Sequence, residues 1–119
     1  MARDRRAYLG PIASDTVGND DFRRVIATGR QLQLVFMSLL PGEEIGSEVH
    51  SITDQFIRIE RGRARLEMDG RRFLLGPDDA VLIPAGTRHN VVNIGAEPLK
   101  LYTLYGPPEH APGTVEREP

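Results

Sequence analysis

Short apolar segments, each cut off by turn residues, recur along this chain and leave little room for anything but β-structure. The sharpest signal is Asp69-Gly70. A two-residue hairpin of this kind needs positive φ at both central positions, which Asp and Gly tolerate. It joins Ala64–Met68 to Arg71–Leu75. Thr28-Gly29-Arg30, Pro41-Gly42-Glu43 and Gly76-Pro77-Asp78-Asp79 carry further turn chemistry. Between these turns the pattern predicts strands over Phe22–Ala27, Gln31–Leu40, Glu48–Thr53, Gln55–Glu60, Ala80–Pro84, His89–Asn93 and Leu99–Tyr105. Short strands with turns about every 8–12 residues indicate an all-β sandwich or barrel. No segment carries a persuasive helical period.

A chain of 119 residues suits one domain. Residues 1–20 are polar and broken by Gly10, Pro11 and Gly18, so they read as an arm that orders only where it docks. The cluster Arg3, Arg5, Arg6 reads as solvated. Residues 21–106 form the barrel, and 107–119, with Pro107, Pro108, Pro112 and Pro119, an extended tail. The absence of cysteine excludes disulfides and thiolate metal sites. A net charge of -2 with interspersed signs gives no basic face for nucleic acid. No apolar run approaches the roughly 20 residues of a membrane span, and the N-terminal stretch lacks a signal-peptide core. The expected location is the cytoplasm.

Chemistry concentrates in two runs. The first, G-x5-E-x-H-x4-Q-x6-G, holds Gly42, Glu48, His50, Gln55 and Gly62. The second, P-x-G-x-x-H-x-x-x-N, holds Pro84, Gly86, His89 and Asn93. Side chains on a strand alternate between faces. If Gln55 points inward, so do Ile57 and Ile59, while Phe56, Arg58 and Glu60 point outward. Likewise His50 shares a face with Glu48, and His89 with Val91 and Asn93. A polar group buried without a partner costs about 1–3 kcal/mol, and one cation would satisfy Glu48, His50, Gln55 and His89 together. Each residue also has an ordinary reading. Either histidine alone suits a hydrogen-bonded strand or turn position, and Gln55 could bond backbone or water. His110 reads as a solvated tail residue, unless Tyr105–His110 folds over a barrel mouth. Arg58 and Arg88 could bind an anion, although alternation puts Arg58 outside.

These runs resemble the two motifs of the cupin superfamily, G-x5-H-x-H-x3,4-E-x6-G and G-x5-P-x-G-x2-H-x3-N, over about Phe22–Tyr105. The second fits from Pro84 to Asn93, with Asp78 at its leading glycine position. The first departs twice, with Glu48 at the first histidine position and Gln55 at the glutamate position. The resemblance implies a double-stranded β-helix, or jelly roll, with a metal held by Glu48, His50, Gln55 and His89. That donor set of two nitrogens and two oxygens favours manganese, iron or zinc over copper. Small cupins with this variant are similar to those labelled mannose-6-phosphate isomerase type, which implies a metal-dependent enzyme on a small polar substrate. No residue is identified as its general base. Two alternatives stand beside it. Glu48, His50 and His89 match the two-histidine, one-carboxylate set of non-haem iron dioxygenases, and a non-catalytic small-ligand-binding module fits as well. Small cupins are usually homodimers, so a homodimer is expected.

Overall fold

A computed structural model describes residues 5–119. Arg3 of the basic cluster lies outside them. Nine strands carry the fold: β1 (Arg23–Thr28), β2 (Gln33–Leu39), β3 (Asp54–Arg61), β4 (Ala64–Met68), β5 (Arg71–Leu75), β6 (Ala80–Ile83), β7 (His89–Asn93), β8 (Leu99–Gly106) and β9 (Val115–Glu116). They form two antiparallel sheets, one ordered β6-β3-β8-β2-β1-β9 and one ordered β5-β4-β7. The expected all-β jelly roll is the fold observed. The Asp69-Gly70 hairpin closes as its residues require, with φ of 51° and 76°, and pairs Met68 with Arg71.

The core lies between the sheets. Inward residues alternate along β3 (Gln55, Ile57, Ile59) and β8 (Leu99, Leu101, Thr103, Tyr105), and all are buried. Ile57, Ile59, Leu99 and Leu101 join Val35, Met37, Leu39 and Leu66 in one apolar cluster. Gln55, Thr103, His50 and His89 are buried as well, so one part of the interior is polar and the rest hydrocarbon.

Three expectations need correction. The N-terminal arm contains a helix, α1 (Ile12–Val17). Six residues are too few to stand alone, since an isolated helix in water needs roughly 12–15. Packing supports it instead. Thr16 is fully buried and its Oγ1 donates to the Ile12 carbonyl at 2.7 Å. Just beyond, the buried Lys100 ammonium donates to the Asn19 carbonyl at 2.6 Å and to Asp20 Oδ1 at 3.0 Å. Tyr8 of the arm packs edge-on against Phe36, with ring centroids 6.0 Å apart. Tyr8 thus helps to cover Phe36 in β2, a strand buried on both faces.

Glu48–Thr53 is not a strand. Gly42, Ile45 and Glu48 hydrogen-bond along β7 as an irregular edge segment, and Glu48 exchanges two 2.9 Å backbone bonds with His89 before the chain leaves the sheet. The tail after Gly106 is docked rather than merely extended. Val115 and Glu116 pair with Arg24 and Arg23, and the Arg23 guanidinium contacts the Glu116 carboxylate.

Candidate metal centre

Backbone contacts between the two motifs assemble the site. The Glu48–His89 bridge sets the irregular segment against the first residue of β7. The Gly86 amide donates to the His50 carbonyl at 2.8 Å. Gly86 sits at φ +87°, where a side chain would be strained. The Ala85 amide donates to Asp54 Oδ1 at 2.8 Å, and Gln55 pairs with Ile83 across the β3–β6 ladder.

These contacts bring Glu48, His50 and His89 together, each offering one ligand atom within 4.8 Å of the others. His50 Nε2 lies 3.5 Å from Glu48 Oε1. Donors about 2.1 Å from one ion lie roughly 3–4 Å apart, so the cluster is near the required size. The two imidazoles are tilted at 49° with centroids 5.2 Å apart. His50 and His89 are 8% and 4% exposed.

Hydrogen bonding separates the ends of each donor. His89 Nδ1 is 2.9 Å from the Thr87 carbonyl. That carbonyl can only accept, so Nδ1 carries the proton and Nε2 keeps its lone pair. Gln55 Nε2 donates to Thr103 Oγ1 at 3.0 Å. Among the buried side-chain atoms that make no hydrogen bond are His50 Nε2, His89 Nε2 and Gln55 Oε1. Buried polar atoms of native proteins are nearly always paired. Two imidazole nitrogens without hydrogen bonds, beside a carboxylate, therefore suit a cation.

Other candidates lie elsewhere. Asn93 is structural: Nδ2 donates to the carbonyls of Leu39 and Glu97, both at 2.9 Å, and Oδ1 accepts from Gly95 at 2.8 Å. Arg58 points outward, as alternation predicts, and pairs with Asp78 and Glu60. Arg88 Nη1 reaches Ser47 Oγ at 3.3 Å.

The tail reading resolves in favour of a fold-over. His110 packs edge-on against Tyr105, with centroids 5.0 Å apart, and Glu109 Oε2 lies 3.3 Å from His50 Nδ1. Sequence reasoning passed over Glu109, which stands 59 positions from His50 and carries no motif. Burial, and then the nearby Arg23 charge, push the His110 imidazole below its usual pKa. A folded-state value below the unfolded value of about 6.5 means that unfolding takes up protons in that range. His110 therefore subtracts from stability as pH falls through 6.5, and has no such effect above it. Between pH 7.5 and 5.5, melting temperature is expected to fall less steeply in His110→Gln than in wild type. Equal slopes would mean the ring titrates normally.

The cupin domain family profile matches residues 35–105. An uncharacterised Bacillus subtilis protein, YrkC, is 46% identical over 92% of this chain, which spans 62% of the YrkC length. An uncharacterised mimivirus protein of Acanthamoeba polyphaga, L612, is 38% identical over 98% of this chain and 75% of its own. The crystal structure of BH2720 from Bacillus halodurans superimposes with a TM-score of 0.93 at 43% identity, covering 98% of this chain and 95% of that one. Motif spacing, jelly-roll topology and these matches agree, and the chain belongs to the cupin family.

Proposed function

We propose that this cupin binds one divalent transition metal through Glu48, His50 and His89, with Gln55 as a neutral fourth donor, and is an enzyme acting on a small polar substrate. The observation that carries the reading is the convergence of two orphaned imidazole Nε2 atoms with the Glu48 carboxylate. When bound, such an ion supplies Lewis acidity toward a carbonyl or hydroxyl oxygen of a sugar-like or carbonyl substrate. The protein's own part is to fix donor geometry. Thr87 orients His89 through its carbonyl, and Thr103 orients the Gln55 amide. The Glu48 side chain is 35% exposed while both imidazoles are buried, so Glu48 marks the solvent side, from which substrate would approach. The isomerase type rests on the motif resemblance.

A second reading, a non-haem iron dioxygenase, is favoured by one observation: the clustered donors are two histidines and one carboxylate. Metal analysis of protein purified without added metal is the first test, with about one divalent ion per chain expected. Failure to retain manganese, iron or zinc supplied in excess would overturn the metal reading. Oxygen consumption by iron-loaded protein across a substrate panel then separates dioxygenase from isomerase. Gln55→Ala is expected to weaken metal binding by about 10–100-fold, the range seen for partners around a metal, as read by chelator competition. An unchanged affinity would reduce Gln55 to a core hydrogen bonder.

A further inference from the structure

Beyond Tyr105, where the family match ends, the chain turns back and returns to the centre. One buried side chain gathers it there. Gln33, fully buried at the start of β2, accepts from the amides of Glu109 at 3.1 Å and His110 at 3.0 Å through Oε1. Its Nε2 donates to the His110 carbonyl at 2.7 Å and to Thr28 Oγ1 at 3.0 Å. Every polar atom of this amide serves the strap. Downstream, β9 ties the same segment to β1. Two anchors thus fix Glu109, whose carboxylate oxygen lies 3.3 Å from His50 Nδ1.

The two histidines therefore share one plan. Each has Nδ1 facing an acceptor, the Thr87 carbonyl for His89 and the Glu109 carboxylate for His50. Each has a buried Nε2 that makes no hydrogen bond, that of His50 lying 3.5 Å from Glu48, its proposed fellow ligand. A neutral imidazole carries its hydrogen on one nitrogen, and an acceptor at Nδ1 selects the form whose Nε2 lone pair is free. For His89 the acceptor is local, two residues away. For His50 it comes from the strap.

We propose that Glu109 is a positioning residue that holds His50 with its hydrogen on Nδ1 and its Nε2 lone pair turned into the centre, and that the C-terminal strap exists in part to deliver it. The ligand is a divalent cation, and in that respect the inference rests on the metal reading above. Glu109 also adds a second carboxylate beside His50, whose other nitrogen faces Glu48, which suits a dication. Partners of this kind fix ring orientation and raise ligand basicity.

The test has two readouts. The first needs no metal: the tautomer of His50 at pH 7.5, from imidazole nitrogen–proton correlation spectra of metal-free protein. Wild type is expected to show the hydrogen on Nδ1. Glu109→Ala should shift it toward Nε2, and Glu109→Gln, whose amide oxygen still accepts, should restore most of the original form. The second readout is affinity for zinc and manganese by chelator competition. Glu109→Ala should lose about 10–100-fold. Gln33→Leu, which removes the nearer of the two anchors with Glu109 intact, should move both readouts in the same direction. Glu109 is one-third exposed, so Glu109→Ala is expected to fold. An unchanged His50 tautomer in Glu109→Ala would overturn the proposal, whatever the affinities. A shifted tautomer in a protein that never bound metal would uphold Glu109 and refute the metal reading instead.

Discussion

Replacing His89 by alanine is expected to give a folded protein that retains no stoichiometric divalent metal. The ring supplies one of the cluster's two Nε2 atoms that make no hydrogen bond. Among the described residues its ring makes one hydrogen bond, from Nδ1 to Thr87, whereas the bridge from residue 89 to Glu48 is made by backbone atoms and survives the change. Removing a ligand typically costs far more than the about 10–100-fold lost with an outer partner. A ligand that binds only the folded state stabilises it by about 2.7 kcal/mol at a hundredfold excess over its dissociation constant. Wild type should therefore melt higher with added metal and His89→Ala should not, while metal content falls from about one ion per chain to none. Full metal content in the variant would remove the Glu48–His50–His89 centre from consideration.

The largest effect expected on folding alone comes from Gly62→Ala. Gly62 sits at φ +95°, outside the regions comfortable for a residue with a side chain. A Cβ there would lie 3.0 Å from the Leu99 Cα and 3.1 Å from the Pro98 carbonyl oxygen. Both obstacles are backbone and cannot swing aside. Backbone strain of about 1–3 kcal/mol adds to an overpacking penalty of about 1–3 kcal/mol. The sum is a large share of the roughly 5–15 kcal/mol that holds a domain together. Gly70→Ala is the control, because that glycine also has positive φ but nothing within 4 Å of the added atom. Denaturant titration should place Gly62→Ala well below Gly70→Ala. Equal midpoints would mean that the β3–β4 corner yields easily.

Turn chemistry is local, and so the parts of the fold it controls were readable. Ala64–Met68 and Arg71–Leu75 are the observed strands because Asp69-Gly70 sets their register. Inward alternation of Gln55, Ile57 and Ile59 follows from strand geometry alone. The misses share a cause. α1 has too few residues to carry a period, and it forms where Lys100 binds the segment after it. Glu48–Thr53 alternates like a strand but bridges to a strand at one residue only, Glu48 with His89. The strap depends on a Gln33–His110 contact across 77 positions, which no neighbouring residue announces. Glu48, His50 and His89 were legible because spacing brings them to one place in a known topology. Glu109 was not, because it arrives by a route outside that topology.

The donors at the centre come from an irregular edge segment, from β3 and from β7, with the strap behind them. No single element of the fold contains more than part of the set. A bound ion would thus act as a rivet through separate plates: opening any one of them lets it go. Its binding energy would belong to the cooperative unit as a whole, and local breathing at this spot would be as rare as global melting.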